Sequence, residues 1–481
     1  MYHGRGSLLL EYHKTVEMFQ KRVPFFIFSL LMIGGCNEKD TSRSLPDSMK
    51  EKQVTFTAKT HALDNNDNFS PDGKYLCYDT RGMVFNNNLA NSKSVEKVEI
   101  ATGKETVLWK PESVSGENAA PGVAAASFHP NENKVIFLHG PMLDEVKERG
   151  YYNIRNRTGM IVDGEGKALL TKVDMRDIAV DRPTTPGAQR GGTHRHEFSR
   201  NGKRIGFTYD DYLQSDYGRT IGYMEKNKKA PNTYSHYFAV LLKPAKKGES
   251  KPGEIEKAYD DSWVDKNGTK RAFIGKVRSE NGVDYETSLF VADIPDNVDI
   301  TTAYSGNKNS FPVPPKGIII RRLTHSKSDN GIVRGSFDGK GIAYLSKDKN
   351  GIYQVFVLPT DGSDLDKDPA KLPRQITHFK EDASNIRWHP SDNWIFSISN
   401  GSVYVSYIGS ENKYGTTILL TKENTKRDKL VVSPDGNMLA YNVDIKDDNS
   451  DLMVEGEIKD RFSQIFILEP DWTYISSFIA E

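Results

Sequence analysis

Cysteine is nearly missing from this chain of 481 residues, Cys36 and Cys77 being the only two, so no disulfide framework staples the fold. Net charge is missing too: Lys plus Arg and Asp plus Glu stand at 65 each. No global field then draws the protein to nucleic acid or to an acidic membrane surface, and partners must be sought in local clusters. Long apolar runs are absent apart from residues 23–33, a stretch too short to cross a bilayer as a helix. No phosphate-binding Gly loop, nucleophile elbow or paired zinc-finger Cys motif occurs. What is plentiful is Gly, Asn, Asp, Ser and Tyr, a composition suited to many short strands joined by polar turns.

The one apolar run follows Lys21-Arg22 and ends at Gly34-Gly35-Cys36, the order of a signal peptide. Ile33-Gly34-Gly35-Cys36 resembles a bacterial lipobox, in which the Cys becomes the lipidated first residue after cleavage. The expectation is a signal peptide over 1–35, with Met18 offering an alternative start, then a lipidated Cys36 heading a flexible tether over 36–52. That places the protein in the cell envelope as an outer-membrane lipoprotein, facing the periplasm or the surface. It would be a monomer that touches membrane through its lipid alone. Cys77, in Tyr75-Leu76-Cys77-Tyr78, reads as a small buried hydrophobe on a strand.

Self-comparison of residues 53–481 exposes a repeat. Phe69-Ser-Pro-Asp-Gly73-Lys-Tyr-Leu-Cys-Tyr78 recurs with variation from Phe128, Phe198, Trp388 and Val432, and more weakly from Trp263 and Phe337. In each of the seven copies an apolar residue ends a strand, a Pro-Asp-Gly-like turn reverses the chain, and an alternating apolar strand follows. The copy near residue 337 continues into enough further strands to make a four-stranded unit. The predicted fold is all-β, a single seven-bladed β-propeller of four-stranded antiparallel blades over 53–481. A two-sheet sandwich would not need the same turn at every repeat. Ring closure is expected from residues 53–57 joining the last blade, whose own strands would include 464–468 and 474–479.

These repeats resemble the Pro-Asp-type propeller repeats of TolB-like proteins, including the blade ends Leu323-Thr324-His325 and Ile376-Thr377-His378. Tyr78-Asp79-Thr80-Arg81, Leu138-His139-Gly140-Pro141, the stretch from Thr185 to His196, and Phe207-Thr208-Tyr209-Asp210-Asp211 together resemble an uncharacterised bacterial family of TolB-like propellers. The resemblance implies architecture and leaves function open.

In a propeller the segments entering the innermost strands gather at one mouth of the axial channel. Here they would collect His61, Arg190, His194, His196, Asp260, Asp261, Arg334, Arg387 and Arg427. His194 and His196 should share one strand face, and imidazole suits a divalent metal when a third ligand converges. His61 is the best third imidazole; the alternative is two histidines bonded to loop carbonyls. His129 and His389 should replace the usual turn Ser.

His194-Arg195-His196 is similar to part of the site of oligogalacturonate lyases, propellers with related repeats, which use a histidine base and a metal. That resemblance implies a histidine base and a divalent metal (Mn, Zn or Ca) at His194 and His196; from their place at the mouth, His61 joins His194 as a catalytic candidate and Arg190, Arg334, Arg387 and Asp260 would bind an acidic saccharide. Gln189 lies further upstream than the Gln of that site. A non-catalytic module binding an envelope protein or a glycan is the alternative, and no nucleic acid is expected as a partner.

Overall fold

The computed structural model describes residues 45–64, 67–81, 92–112, 121–325, 327–422, 425–447, 453–454, 457–458 and 461–480. Cys36 lies outside them. Among the described residues seven antiparallel sheets of three or four strands follow one another in chain order, as the repeats require, with a further two-strand pairing of Met453–Val454 and Glu457–Ile458. Blade 1 holds Tyr75–Asp79, Val95–Glu99 and Glu105–Trp109, with its inner edge reduced to the bridges Ala62 to Asp79 and Phe69 to Leu76. Blades 2 to 6 have four strands each, paired in sequence order. Their innermost strands are Val123–Phe128, Gly191–Phe198, Ile255–Trp263, Asn330–Gly335 and Ala383–Trp388.

Blade 7 closes the ring. Its inner strand Arg427–Val432 pairs with Leu439–Lys446, then Arg461–Leu468, and the outermost place is taken by Lys52–Gln53 from the other end of the chain. The ladder begins one residue before the expected closure, and Thr57 O still accepts from Gln464 Nε2 at 2.9 Å. Residues read as the end of a tether are packed here: Met49 is buried among the apolar residues of blades 6 and 7. Glu51 holds Arg427 through two 2.6 Å bonds and accepts from Tyr441 at 2.7 Å.

The expected strand at 474–479 is instead a helix, Trp472–Ala480. Asp471 starts it, its side chain accepting from Tyr474 N at 3.0 Å. Trp472, Ile475 and Ile479 recur at helical spacing and pack on blades 6 and 7.

The repeated turn is held by bonds local in sequence. Ser70 Oγ donates to Asp72 (2.6 Å) and accepts from Tyr75 N (3.0 Å) while Gly73 takes φ +71°. Ser433 with Asp435, Ser336 with Asp338, and Ser199 with Asn201 repeat the pattern. At His129 and His389 the ring nitrogen Nδ1 takes the serine's place, each accepting from the amide two residues on at 3.1 Å. Aligned on these turns, the weak copy shifts by two residues from the sequence reading. Gly335, not Phe337, occupies the aromatic position, because a Cβ there would lie 2.2 Å from the Val264 backbone of the preceding blade.

Candidate functional site: an arginine-lined axial channel

The inner strands are not regular. Ala125, Arg195, Asp260, Asn385 and Lys429, each four residues before the turn, adopt positive φ of 53–59°, and the ladder register slips at each of these positions. Blade 5 makes the same bulge at Gly331. A non-glycine residue in this region is strained, and in five of the blades the bulge turns one extra side chain out of the ladder.

Two cavities result at the mouth where the inner strands begin. One, of about 430 Å³, is lined by Asp64, Asp260, Arg334, Asn385, Arg387 and Lys429 among others. The second, of about 310 Å³, shares Asp64 and Ile332 with the first and adds Arg81, Arg157, His194, Arg195 and Arg219. The positive charges are unequally compensated. Arg81 is held by Asp79 (2.5 Å) and Asp64 (2.6 Å), and Arg219 by Asp210 (2.8 Å). Arg195 Nε and Nη1, Arg334 Nε and Nη2, and Arg387 Nε are buried without a hydrogen-bond partner. Burial, then the neighbouring Arg387 and Arg195, pushes Arg334 well below its usual value; burial and Arg195 push Arg387 to about 10. Asp67 and Glu197 offset part of the charge of Arg334 and Arg387, and Asp64 that of Arg387, but no carboxylate among the described residues bonds the N–H groups left free, a setting that a carboxylate satisfies bidentately.

His194 belongs to this pocket. Burial lowers its pKa well below the usual range, and Arg157, Arg219, Arg195 and Arg81 add to the effect, so the ring is neutral. The bulge at Arg195 separates it from His196, which is wholly buried with Nε2 3.0 Å from Thr193 Oγ1 and over Gly159 of blade 2. The two rings therefore do not share a face. Among the described residues no group of three or more His, Cys, Asp or Glu could hold a metal ion. The side chains present do not fit the expected divalent metal.

Other expected residues are also elsewhere. His61 is sealed between blades 7 and 1, with Nε2 3.1 Å from Glu105 and Nδ1 3.3 Å from Ser463 O. Arg190 is fully buried, donating to Asp211 (2.8 Å) and to Asn307 O (2.5 Å). Asp261 pairs with Arg271, and Arg427 with Glu51. Of the sequence-derived set, the structure brings His194, Asp260, Arg334 and Arg387 to the mouth. It adds Arg195, Arg157, Arg219, Arg81 and Asp64, which sequence reasoning had not singled out.

Deeper in the channel stand Asp67 and Glu197. Glu197 is fixed by Arg271 (3.0 Å) and Ser262 Oγ (2.9 Å). Burial, reinforced by Glu197, raises Asp67 to about 7 against the pull of Arg200, Arg334 and Arg387.

Fold and site thus define a seven-bladed β-propeller with a cationic axial channel. A family profile described as a protein of unknown function (DUF3748) matches residues 122–228, a stretch containing Arg157, His194, Arg195 and Arg219. The uncharacterized protein YidR of Escherichia coli is 31% identical over 423 residues, 81% of this chain and 94% of YidR. The chain belongs to this YidR-like family. Among solved structures, TolB from Acinetobacter baumannii aligns over 83% of this chain and 81% of its own at 10% identity and TM-score 0.38. The β-propeller domain of Cps50 (Swd1) from Myceliophteria thermophila aligns over 80% and 94% at 11% identity and TM-score 0.42.

Proposed function

We propose that this protein is a binding module of the bacterial cell envelope, lipid-anchored at Cys36, that takes an acidic saccharide at the channel mouth. The observation that carries the reading is the set of buried, unpartnered N–H groups on Arg195, Arg334 and Arg387. No protein group among the described residues satisfies these donors, and a uronate carboxylate offers several of them charge-assisted bonds at once. Calorimetric titration with oligogalacturonate tests it. Binding should weaken with added salt and fall at least about ten-fold in Arg195→Gln. That variant should melt no lower than the parent, because it removes a charge left uncompensated in the ligand-free protein. Unchanged affinity in a folded Arg195→Gln would refute the site. Anchoring is tested separately: Cys36→Ser that is still processed and sediments with membranes would rule it out.

A lyase-like reaction is the second reading, favoured by His194. His194 shares its pocket with Arg157, Arg195 and Arg219; a bound carboxylate would offset the charge that depresses the imidazole, which would then take the adjacent C–H proton as the glycosidic oxygen leaves from the next carbon. Unsaturated product that appears with the parent and not with His194→Ala would favour it over simple binding.

A further inference from the structure

The opposite mouth of the channel has a different chemistry. There a cavity of about 380 Å³ has an apolar wall built from repeat positions, Phe198, Trp263 and Trp388 among them, with Phe337 at its rim. The indoles are fixed: Trp263 Nε1 donates to Glu197 O (3.0 Å) and Trp388 Nε1 to Arg334 O (2.8 Å). Phe337 is 37% exposed, with the Arg200 guanidinium 4.2 Å over its ring. At the deep end stand Arg334 and Arg387, the same two residues that line the 430 Å³ cavity of the first mouth, with Asp67 and Glu197 beside them; Glu197 is taken up by Arg271 and Ser262, and burial raises Asp67 toward its neutral form, so neither carboxylate bonds the free N–H groups of the arginines. Arg334 is only 5% exposed, and its Nε and Nη2 find no partner.

An apolar cup with under-compensated guanidinium groups at its base selects a ligand with one anionic head on a flat, apolar body. A saccharide, rich in hydroxyls, suits the polar first mouth and would leave this wall poorly used. We propose that the second mouth is a separate site for a small apolar monocarboxylate, seated with its carboxylate on Arg334 and Arg387 and its body against Trp263, Trp388 and Phe337. The site does not depend on the saccharide reading. Because the arginines are shared, the two ligands compete for them.

Calorimetric titration of the full-length chain with 2-naphthoate, and with its neutral amide as the control, tests the proposal. Saturable binding to one site is expected, with naphthoate at least about ten-fold tighter than naphthamide, as a charge-assisted pair requires. Arg387→Gln should abolish that preference. Phe337→Ser, a change at a partly exposed side chain whose effect on folding is read from the melting temperature, should weaken naphthoate several-fold and leave oligogalacturonate titrations unchanged. Equal affinity for acid and amide overturns the proposal, as does a naphthoate affinity indifferent to Phe337→Ser. Failure of the saccharide alone would leave these outcomes standing and remove only the first site.

Discussion

Replacing Asp67 by Asn tests the electrostatics of the channel most directly, because the expected effect has a sign and a pH window. Burial is the largest cause of the raised pKa of Asp67, and Glu197 adds to it, so the folded protein prefers the neutral carboxyl. A group raised on folding contributes its full stability below its unfolded value and loses that contribution as pH rises through the folded one. For Asp67 the window runs from 3.8 to about 7. The difference between 3.8 and about 7 corresponds to a ceiling of roughly 4 kcal/mol. The side chain is only partly buried, and solvent reduces the figure to about 2 kcal/mol. Asn imitates the neutral carboxyl at every pH. Asp67→Asn should therefore match the parent near pH 4 and exceed it by about 2 kcal/mol above pH 7. Urea unfolding at a series of pH values measures the difference. An Asn variant less stable than the parent at pH 8 would mean that Asp67 is ion-paired with Arg334 and Arg387, and the account of an under-compensated channel would fail.

Two further substitutions examine what holds the ring and its inner wall. Glu51→Gln leaves the buried Arg427 without its bidentate partner and should cost about 3 kcal/mol in urea unfolding; a loss below about 1 kcal/mol would show that the closure does not rely on this pair. Gly206→Ala places a Cβ about 2.0 Å from Arg271 Nη1, forcing that side chain off Glu197 and Asp261. We expect a fall of 3 kcal/mol or more, roughly the cost of breaking a buried ion pair, read as a lowered melting temperature; an unchanged melting temperature would refute the tight packing at Arg271.

The blades were legible because the interactions that define them are local. A Ser or His bonding the amides two to five residues ahead, an Asp or Asn, and a Gly at positive φ together leave a pattern readable in one dimension. The same reliance on local pattern explains the strand wrongly expected at 474–479. Residues 472–480 are apolar enough to read as a strand, and only the spacing of Trp472, Ile475 and Ile479, with Asp471 as cap, separates the two. Blade 5 was misaligned because Phe337 lies two residues past an aromatic position that Gly335 fills, and only the approach of Val264 from the neighbouring blade requires glycine there.

The site was legible only in part, and the reason is the bulge. Alternation along a strand assigns His194 and His196 to one face, but a single left-handed residue between them breaks the alternation and sends one ring to the channel and the other into the wall. The bulged residue is mostly polar and seldom glycine, so composition does not mark it. Position does. Counting back four residues from the turn position lands on Ala125, Arg195, Asp260, Asn385 and Lys429 in blades 2, 3, 4, 6 and 7, and counting back two lands on Glu197, Ser262, Arg334 and Arg387 in blades 3 to 6. Aligning on the turn Ser rather than on the aromatic matters in blade 5, where it brings Arg334 into the second set. Arg195 then stands out as the residue that the pairing of two histidines had concealed, since it carries the charge that neither imidazole does at neutral pH. Arginine keeps its proton where histidine loses it to burial, so a buried mouth that must attract an anion depends on the guanidinium groups.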